Sequence, residues 1–175
     1  MKPGQKFRNA LKNNKPLIIP GTINAYSAKL AELANHNSIY LSGSGVAAAS
    51  YGLPDLGVTT LENVLIDAKR ITSATSLPLL VDIDTGWGDF DAISNTIIEM
   101  GNANVAAVHI EDQIFDKRCG HRPNKQLVSI DEMQDRLKAA LDAKIDDSFF
   151  IMARTDALAS EGIEKAIERC GKYLD

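Results

Sequence analysis

The sequence predicts an α/β protein on a parallel sheet of the (β/α)8 barrel type, of which the chain carries about five β/α units. Three observations predict this. Five short, nearly continuous apolar runs recur along the chain. Each is followed by a segment with helical spacing, and polar residues gather where the runs end. Parallel strands are covered on both faces and so read as unbroken apolar runs. Strand and helix in alternation mean βαβ units.

The runs are 17–20, 38–41, 78–83, 104–110 and 149–153. Between the second and third lies TTLENVLIDAKRI, with Leu61, Val64, Leu65, Ala68 and Ile71 on one face and a capping box expected from Thr59 and Glu62. After the fourth run, Ser129 and Glu132 form a second box ahead of Met133, Leu137 and Leu141. Near the C-terminus Ile163, Ile167 and Cys170 line one helical face, and Cys170 reads as a small core residue. No internal repeat or linker divides the chain, which reads as a single domain over residues 1–175.

An open doubly wound sheet and a barrel both fit this alternation. The strand tips favour the barrel. Tyr40 and Ser42, Asp82 and Asp84, His109 and Glu111, and Arg154 and Asp156 are each spaced by two. Side chains alternate along a strand, so each pair points to one side while Leu41, Val81, Ile83 and Ile110 face the helices. Barrel enzymes keep their active sites at the C-terminal strand ends. Neither GxGxxG nor GxxxxGK[ST] follows any run, which argues against a nucleotide site.

Composition excludes other classes. With 45 % hydrophobic and 24 % charged residues the chain is ordinary for a globular protein, and a net charge of −4 argues against nucleic acid as a partner. No apolar stretch is long enough to span a bilayer, and the polar N-terminus lacks the apolar core of a signal peptide. The two cysteines, Cys119 and Cys170, show no zinc-like spacing. The expectation is a cytoplasmic protein with reduced thiols and no membrane partner.

Two stretches carry chemistry. In VDIDTGWGD, Asp82 and Asp84 suit a hard divalent cation, which keeps several waters and takes one or two carboxylates. Glu111 on the next strand could hold one of those waters. The same acids also suit plain hydrogen-bonded strand caps. In DQIFDKRCGHRPNK, a long connection, Lys117, Arg118, His121, Arg122 and Lys125 surround Cys119. Neighbouring cations favour a thiolate and could clamp an anionic substrate, and Gly120 suits a loop that closes and reopens. A solvated basic loop with an incidental thiol is the plainer alternative. Arg154 suits a carboxylate as bidentate partner, or an ion pair with Asp156 or Glu111. Tyr40 offers a phenol, and the glycines after it offer backbone amides. Trp87 is expected at the rim of the site.

Together YLSGSGVAAASYGLPDLG, LLVDIDTGWG, HIEDQ, KRCGHRPNK and IMARTDA resemble the isocitrate lyase/phosphoenolpyruvate mutase superfamily, in the family's order and from about residue 16 onward. The run Arg122-Pro123-Asn124 after the KRCGH core is similar to the methylisocitrate lyase branch. The resemblance implies a (β/α)8 barrel, a homotetramer, and magnesium-dependent cleavage of 2-methylisocitrate to pyruvate and succinate in propionate breakdown by the methylcitrate cycle. It implies Asp82, Asp84 and Glu111 for the metal. It implies Ser42, Gly43, Ser44, Asp55, Cys119, Gly120, His121 and Arg154 for the small carboxylic acid substrate. Cys119 would protonate the succinate carbanion, and Tyr40 is the candidate base. Ser44 stands where the family's SGGG run has glycine, a change expected to be tolerated. The later strands of the family barrel are not found in the 175 residues. Isocitrate lyase is the competing activity, and a catalytically inactive fragment the competing class.

Overall fold

Four strands, each followed by helix, form a parallel sheet in sequential order β1-β2-β3-β4. The computed structural model describes residues 1–120 and 122–174; His121 and Asp175 lie outside the described residues. The strands are β1 Ile39–Leu41, β2 Leu79–Asp82, β3 Ala107–Glu111 and β4 Phe150–Arg154. Their helices are α1 Pro3–Asn13, α2 Ala25–Leu33, α3 Gly43–Tyr51, α4 Leu61–Ala74, α5 Phe90–Asn102, α6 Ile130–Asp142, α7 Leu158–Glu161 and α8 Ile163–Lys172.

The sheet splits the apolar residues into two layers by the strand period of two. Ile39, Leu41, Val81, Ile83, Val108 and Ile110 join Val64, Ile71, Ile93, Ile97, Met100, Met133 and Leu137 in the main core beneath the helices. Tyr40, Leu80, Ala107 and Met152 point the other way, where Phe7 of α1 packs against the Phe150 ring at 5.5 Å. Register fixes what meets what: Tyr40 lies beside Leu80, Asp82 beside His109, and Glu111 beside Arg154.

Four expectations about elements are corrected. Residues 17–20 form no strand. Only a parallel bridge at Gly21 reaches β1, through Tyr40 N–H to Pro20 O at 2.9 Å and Thr22 N–H to Tyr40 O at 2.7 Å. Prolines at 16 and 20 lack the amide a ladder needs. The parallel sheet thus has four strands among the described residues, where five were expected. The α4 box is made one residue later, by Thr60 with Asn63. At α6, Ser129 caps Glu132 N–H at 3.1 Å, but the Glu132 carboxylate turns to Arg136 at 2.7 Å.

The fourth correction concerns α8. Ile163 and Ile167 are exposed, as is Cys170, while Ala166 and Arg169 face inward. Arg169 decides the orientation. Its guanidinium is bonded to both oxygens of Glu161 at 2.8 Å and to Val128 O at 2.9 Å. A charged group with that many partners is stable inside, and it leaves the apolar stripe outside. Among the described residues, no helix is long and apolar enough to cross a membrane.

Candidate active site

The pairs spaced by two converge at the C-terminal ends of the strands. Tyr40 Oη lies 3.0 Å from His109 Nε2 and 3.4 Å from Asp82 Oδ2. Asp82 Oδ2 accepts the Gly43 amide at 3.2 Å, and its Oδ1 accepts the Asp84 amide at 3.1 Å. Ser42 caps α3 through Gly45 N–H at 3.3 Å, so Ser42, Gly43 and Ser44 form the first turn of a helix whose amides point toward the site. Ser44 is exposed and helical, a position that serine occupies without strain.

After β2 the chain turns through a run of left-handed residues, Asp84 (φ 49°), Gly86 (φ 92°) and Trp87 (φ 60°). The turn aims the Asp84 carboxylate back over the sheet. A side chain at Gly86 would meet Ile93 Cγ1 at 2.5 Å, so this sharp turn requires glycine. Trp87 packs on the main core and donates to Thr59 O at 2.8 Å.

Asp84 sits in an electrostatic conflict. Burial and the neighbouring Asp82 charge push its carboxyl up to about 6 against the opposing pull of Lys117. Its Oδ1 is paired with the buried Lys117 ammonium, 2.5 Å away. Gly43 backs the pair, since a Cβ there would lie 3.3 Å from both Asp82 Oδ2 and Asp84 Oδ1. Two buried carboxylates side by side, with Gly43 leaving room behind them, suit a small divalent cation in place of the Lys117 charge. Among the described residues no three His, Cys, Asp or Glu side chains gather closely enough to ligate one ion. Glu111 is engaged elsewhere, with Arg154 Nη1 at 3.1 Å and Gln113 Nε2 at 2.9 Å. Burial, opposed by Arg154 and Lys117, holds its carboxyl at about 8.

The long connection after β3 folds over these residues. Its base is pinned by Ile114 N–H to Gln126 O at 3.0 Å and Val128 N–H to Asp112 O at 2.9 Å, around a single antiparallel bridge between Gln113 and Leu127. Inside that neck Lys117 is buried, its ammonium joining Asp55 Oδ1 at 2.8 Å to Asp84. The Cys119 thiol bonds to Asp55 as well. Burial works against the Asp55 charge, but the Lys117 and Cys119 hydrogen bonds and the Lys117 charge overcome it and hold the carboxyl below its ordinary range. The thiol and the Asp82–Asp84 pair therefore share one site. Gly120 lies against Arg154, and its carbonyl accepts from the Lys125 ammonium. Arg122 N–H closes a turn onto Cys119 O at 2.9 Å. His121, expected in this site, lies outside the described residues.

Tyr40, the candidate base of the sequence reading, is half-buried between His109 and Asp82. Burial and the Asp82 charge drive its phenol well above the ordinary value, so it stays a hydrogen-bond donor at neutral pH. His109 is kept neutral by burial, helped by Arg154 and Lys117. Its Nδ1 has no hydrogen-bond partner and lies 3.7 Å from Asp82 Oδ1.

Sequence reasoning counted Lys117 among the cations around Cys119, with a solvated basic loop as the alternative; it placed His109 at a strand tip without a chemical role and gave Gln113 and Asp112 none. Only the HIEDQ run, with four polar residues at one strand end, signalled them. Asp112 is wholly buried and accepts from Thr155 Oγ1 at 2.6 Å, Asp156 N–H at 2.9 Å and Tyr173 Oη at 2.8 Å. It thereby fixes Asp156, which holds Arg154 at 3.2 Å.

A family model described as phosphoenolpyruvate phosphomutase matches residues 7–175. The chain belongs to the phosphoenolpyruvate phosphomutase family. It is 63 % identical over 171 residues to a 2-methylisocitrate lyase of Shewanella oneidensis, covering 98 % of this chain and 59 % of that protein. A crystal structure of 2,3-dimethylmalate lyase, a member of the same superfamily, superposes with a TM-score of 0.92 at 35 % identity, covering 100 % of this chain and 60 % of that one. Phosphonopyruvate hydrolase in complex with oxalate and Mg++ superposes with a TM-score of 0.85 at 31 % identity, covering 99 % of this chain and 60 % of that one. The chain thus spans about 60 % of the length of the relatives it matches.

Proposed function

We propose that this chain carries the metal-binding and thiol half of a methylisocitrate lyase, which cleaves 2-methylisocitrate to pyruvate and succinate. The observation that carries the reading is the shared site: Asp55 and Lys117 tie the Cys119 thiol to the buried Asp84 carboxylate. The 63 % identity to a protein named for this activity supports the substrate branch.

Asp82 and Asp84 would hold Mg2+, with Glu111 reaching it through water; a relative crystallised with oxalate and Mg++ supports this choice of ion. When bound, the ion supplies Lewis-acid polarisation of substrate oxygens. The chain's own groups do the rest. The α3 amides at Gly43 and Ser44, together with Arg154, bind substrate carboxylates, the arginine by its planar fork. Ser42 holds that helix start in place, and Tyr40 donates a hydrogen bond at the floor of the site.

In the reaction the substrate hydroxyl passes its proton to water and the bond between the carbinol carbon and its neighbour breaks. The carbinol carbon becomes the ketone of pyruvate, and the bonding pair stays on the succinate half. Cys119 delivers the proton that this carbanion takes, and Asp55 orients the thiol. Gly120 and His121 complete the loop that excludes water from the carbanion. This reading places the reaction in cytoplasmic propionate breakdown, with the full-length chain a homotetramer.

The test is a coupled assay. Pyruvate release from 2-methylisocitrate, read with lactate dehydrogenase and NADH, should depend on added Mg2+. Clear preference for isocitrate, with glyoxylate as product, would move the chain to the isocitrate lyases. No turnover of either acid by a full-length version would favour a non-catalytic product.

A further inference from the structure

The side chain of Gln113 makes an unusual set of bonds. It is wholly buried at the neck of the long connection. Its Oε1 accepts the Arg118 amide at 3.0 Å, while Nε2 donates to the Arg118 carbonyl at 2.9 Å. One carboxamide thus reads both backbone groups of the residue before Cys119, as a neighbouring strand would. The same Nε2 lies 2.9 Å from Glu111 Oε1 and 2.9 Å from Asp156 Oδ2.

A primary amide has two hydrogens, and here it faces three acceptors. With the loop closed, the two hydrogens are shared among Glu111, Asp156 and Arg118 O. With the loop away, they serve the two carboxylates fully and only Oε1 loses its donor. Release therefore costs little, while closure still gains the Arg118 N–H bond, a two-point register that one residue cannot slip past. Glu111 and Asp156 are in turn anchored by Arg154 at 3.1 and 3.2 Å, so the amide is fixed in orientation by the site itself.

The geometry points to Gln113 as a positioning residue, a reversible catch that recognises the Arg118 backbone and sets Cys119 at Asp55 when the loop is closed. It deepens the proposed function and rests on Cys119 being the group that the loop delivers. Lys117 holds the same loop by charge. Gln113 differs in that it contacts main chain, and so depends on loop conformation and not on the side chain at 118.

The test is read on the chain without substrate. Iodoacetamide labelling of Cys119, followed by peptide mass spectrometry to separate it from the exposed Cys170, reports loop opening. Tryptic cleavage at Lys117, Arg118 and Lys125 reports it independently. Gln113→Ala should raise both rates about tenfold, the range for losing one or two buried hydrogen bonds. Arg118→Pro, which removes the bonded amide hydrogen along with the side chain and fixes φ at 118, should raise labelling similarly, and the double variant should go no further than either alone. Arg118→Ala should label at the wild-type rate. If Gln113→Ala fails to fold, Gln113→Met keeps the volume and decides alone. Wild-type labelling in the folded Gln113 variant, or strict additivity with Arg118→Pro, would overturn the catch and leave Gln113 as a packing residue. The two readings fail separately: absent turnover with this labelling pattern sinks the lyase assignment, whereas turnover with indifferent labelling sinks only the catch.

Discussion

Replacing Asp112 by alanine should be among the most damaging single changes in the chain, although the residue touches no substrate. Its carboxylate is wholly buried and takes hydrogen bonds from Thr155 Oγ1 at 2.6 Å, Tyr173 Oη at 2.8 Å and the Asp156 amide at 2.9 Å, with Arg169 Nη1 at 3.5 Å. Alanine removes the one anion all four donors face. Arg169 keeps Glu161, and the two hydroxyls can turn toward water, so the loss falls short of four full bonds. Removing one member of a buried charge network costs about 3–5 kcal/mol. At roughly 2–4 °C per kcal/mol for a chain of this size, that lowers the melting temperature by about 6–20 °C. Asp112→Asn retains the acceptor for the Asp156 amide and should cost about 1–2 kcal/mol, since its new amino group opposes Arg169. Urea titration followed by circular dichroism, with differential scanning calorimetry beside it, gives both numbers. An alanine variant within about 1 kcal/mol of wild type would refute the idea that this anion organises α8 and the turn after β4.

Other expectations follow from the site. Cys119→Ser in a full-length version should abolish cleavage and leave Mg2+ binding by calorimetry unchanged, because a serine hydroxyl is too weak an acid to protonate the carbanion; near-normal turnover would remove the thiol from the chemistry. Gly43→Ala places a methyl 3.3 Å from both Asp82 and Asp84 and should weaken Mg2+ binding about tenfold or more in the same calorimeter; unchanged affinity would mean the ion sits away from that pair. Glu161 is held below its ordinary value of 4.5 by hydrogen bonds from Arg169. Its folded pKa being depressed, the stabilisation is present above the unfolded value and lost as pH falls through the folded one. Wild type should therefore lose its margin over Glu161→Gln between about pH 5 and pH 3 in urea titrations, and a margin that grows on acidification would contradict the pairing.

The strand tips were legible because parallel strands alternate their side chains without exception. Tyr40, Asp82, His109, Glu111 and Arg154 could be placed on one side from spacing alone, and register brings them together. What escaped depended on partners distant in the chain. Nothing local distinguishes Thr59 from Thr60 as a cap, since two threonines stand together and Asn63 serves as well as Glu62. The stripe of Ile163, Ile167 and Cys170 is a true amphipathic pattern, yet Arg169, bonded to Glu161 eight residues earlier, turns the opposite face inward. Lys117 read as one of several interchangeable loop cations around Cys119, and its burial follows only from Asp55 and Asp84, reached across the fold. Gln113 carries no charge and belongs to no metal or nucleophile pattern, so its role is visible only once Arg118 lies beside it. Tyr40 illustrates the converse: its position was legible, but the rise of its phenol pKa comes from burial and then from the Asp82 charge, which spacing does not disclose.

The alternation of core and site residues along β2 has a consequence for how this sheet can change. Leu80 and Asp82 point one way, Val81 and Ile83 the other, so packing beneath the helices and aim of the carboxylates are two readings of a single pleat. Inserting one residue in that strand would bury an aspartate among isoleucines and lift valine into the reactive site, destroying stability and chemistry in the same stroke. Variation must therefore enter through turns and loops, leaving the strand itself free to exchange only apolar residues of similar volume.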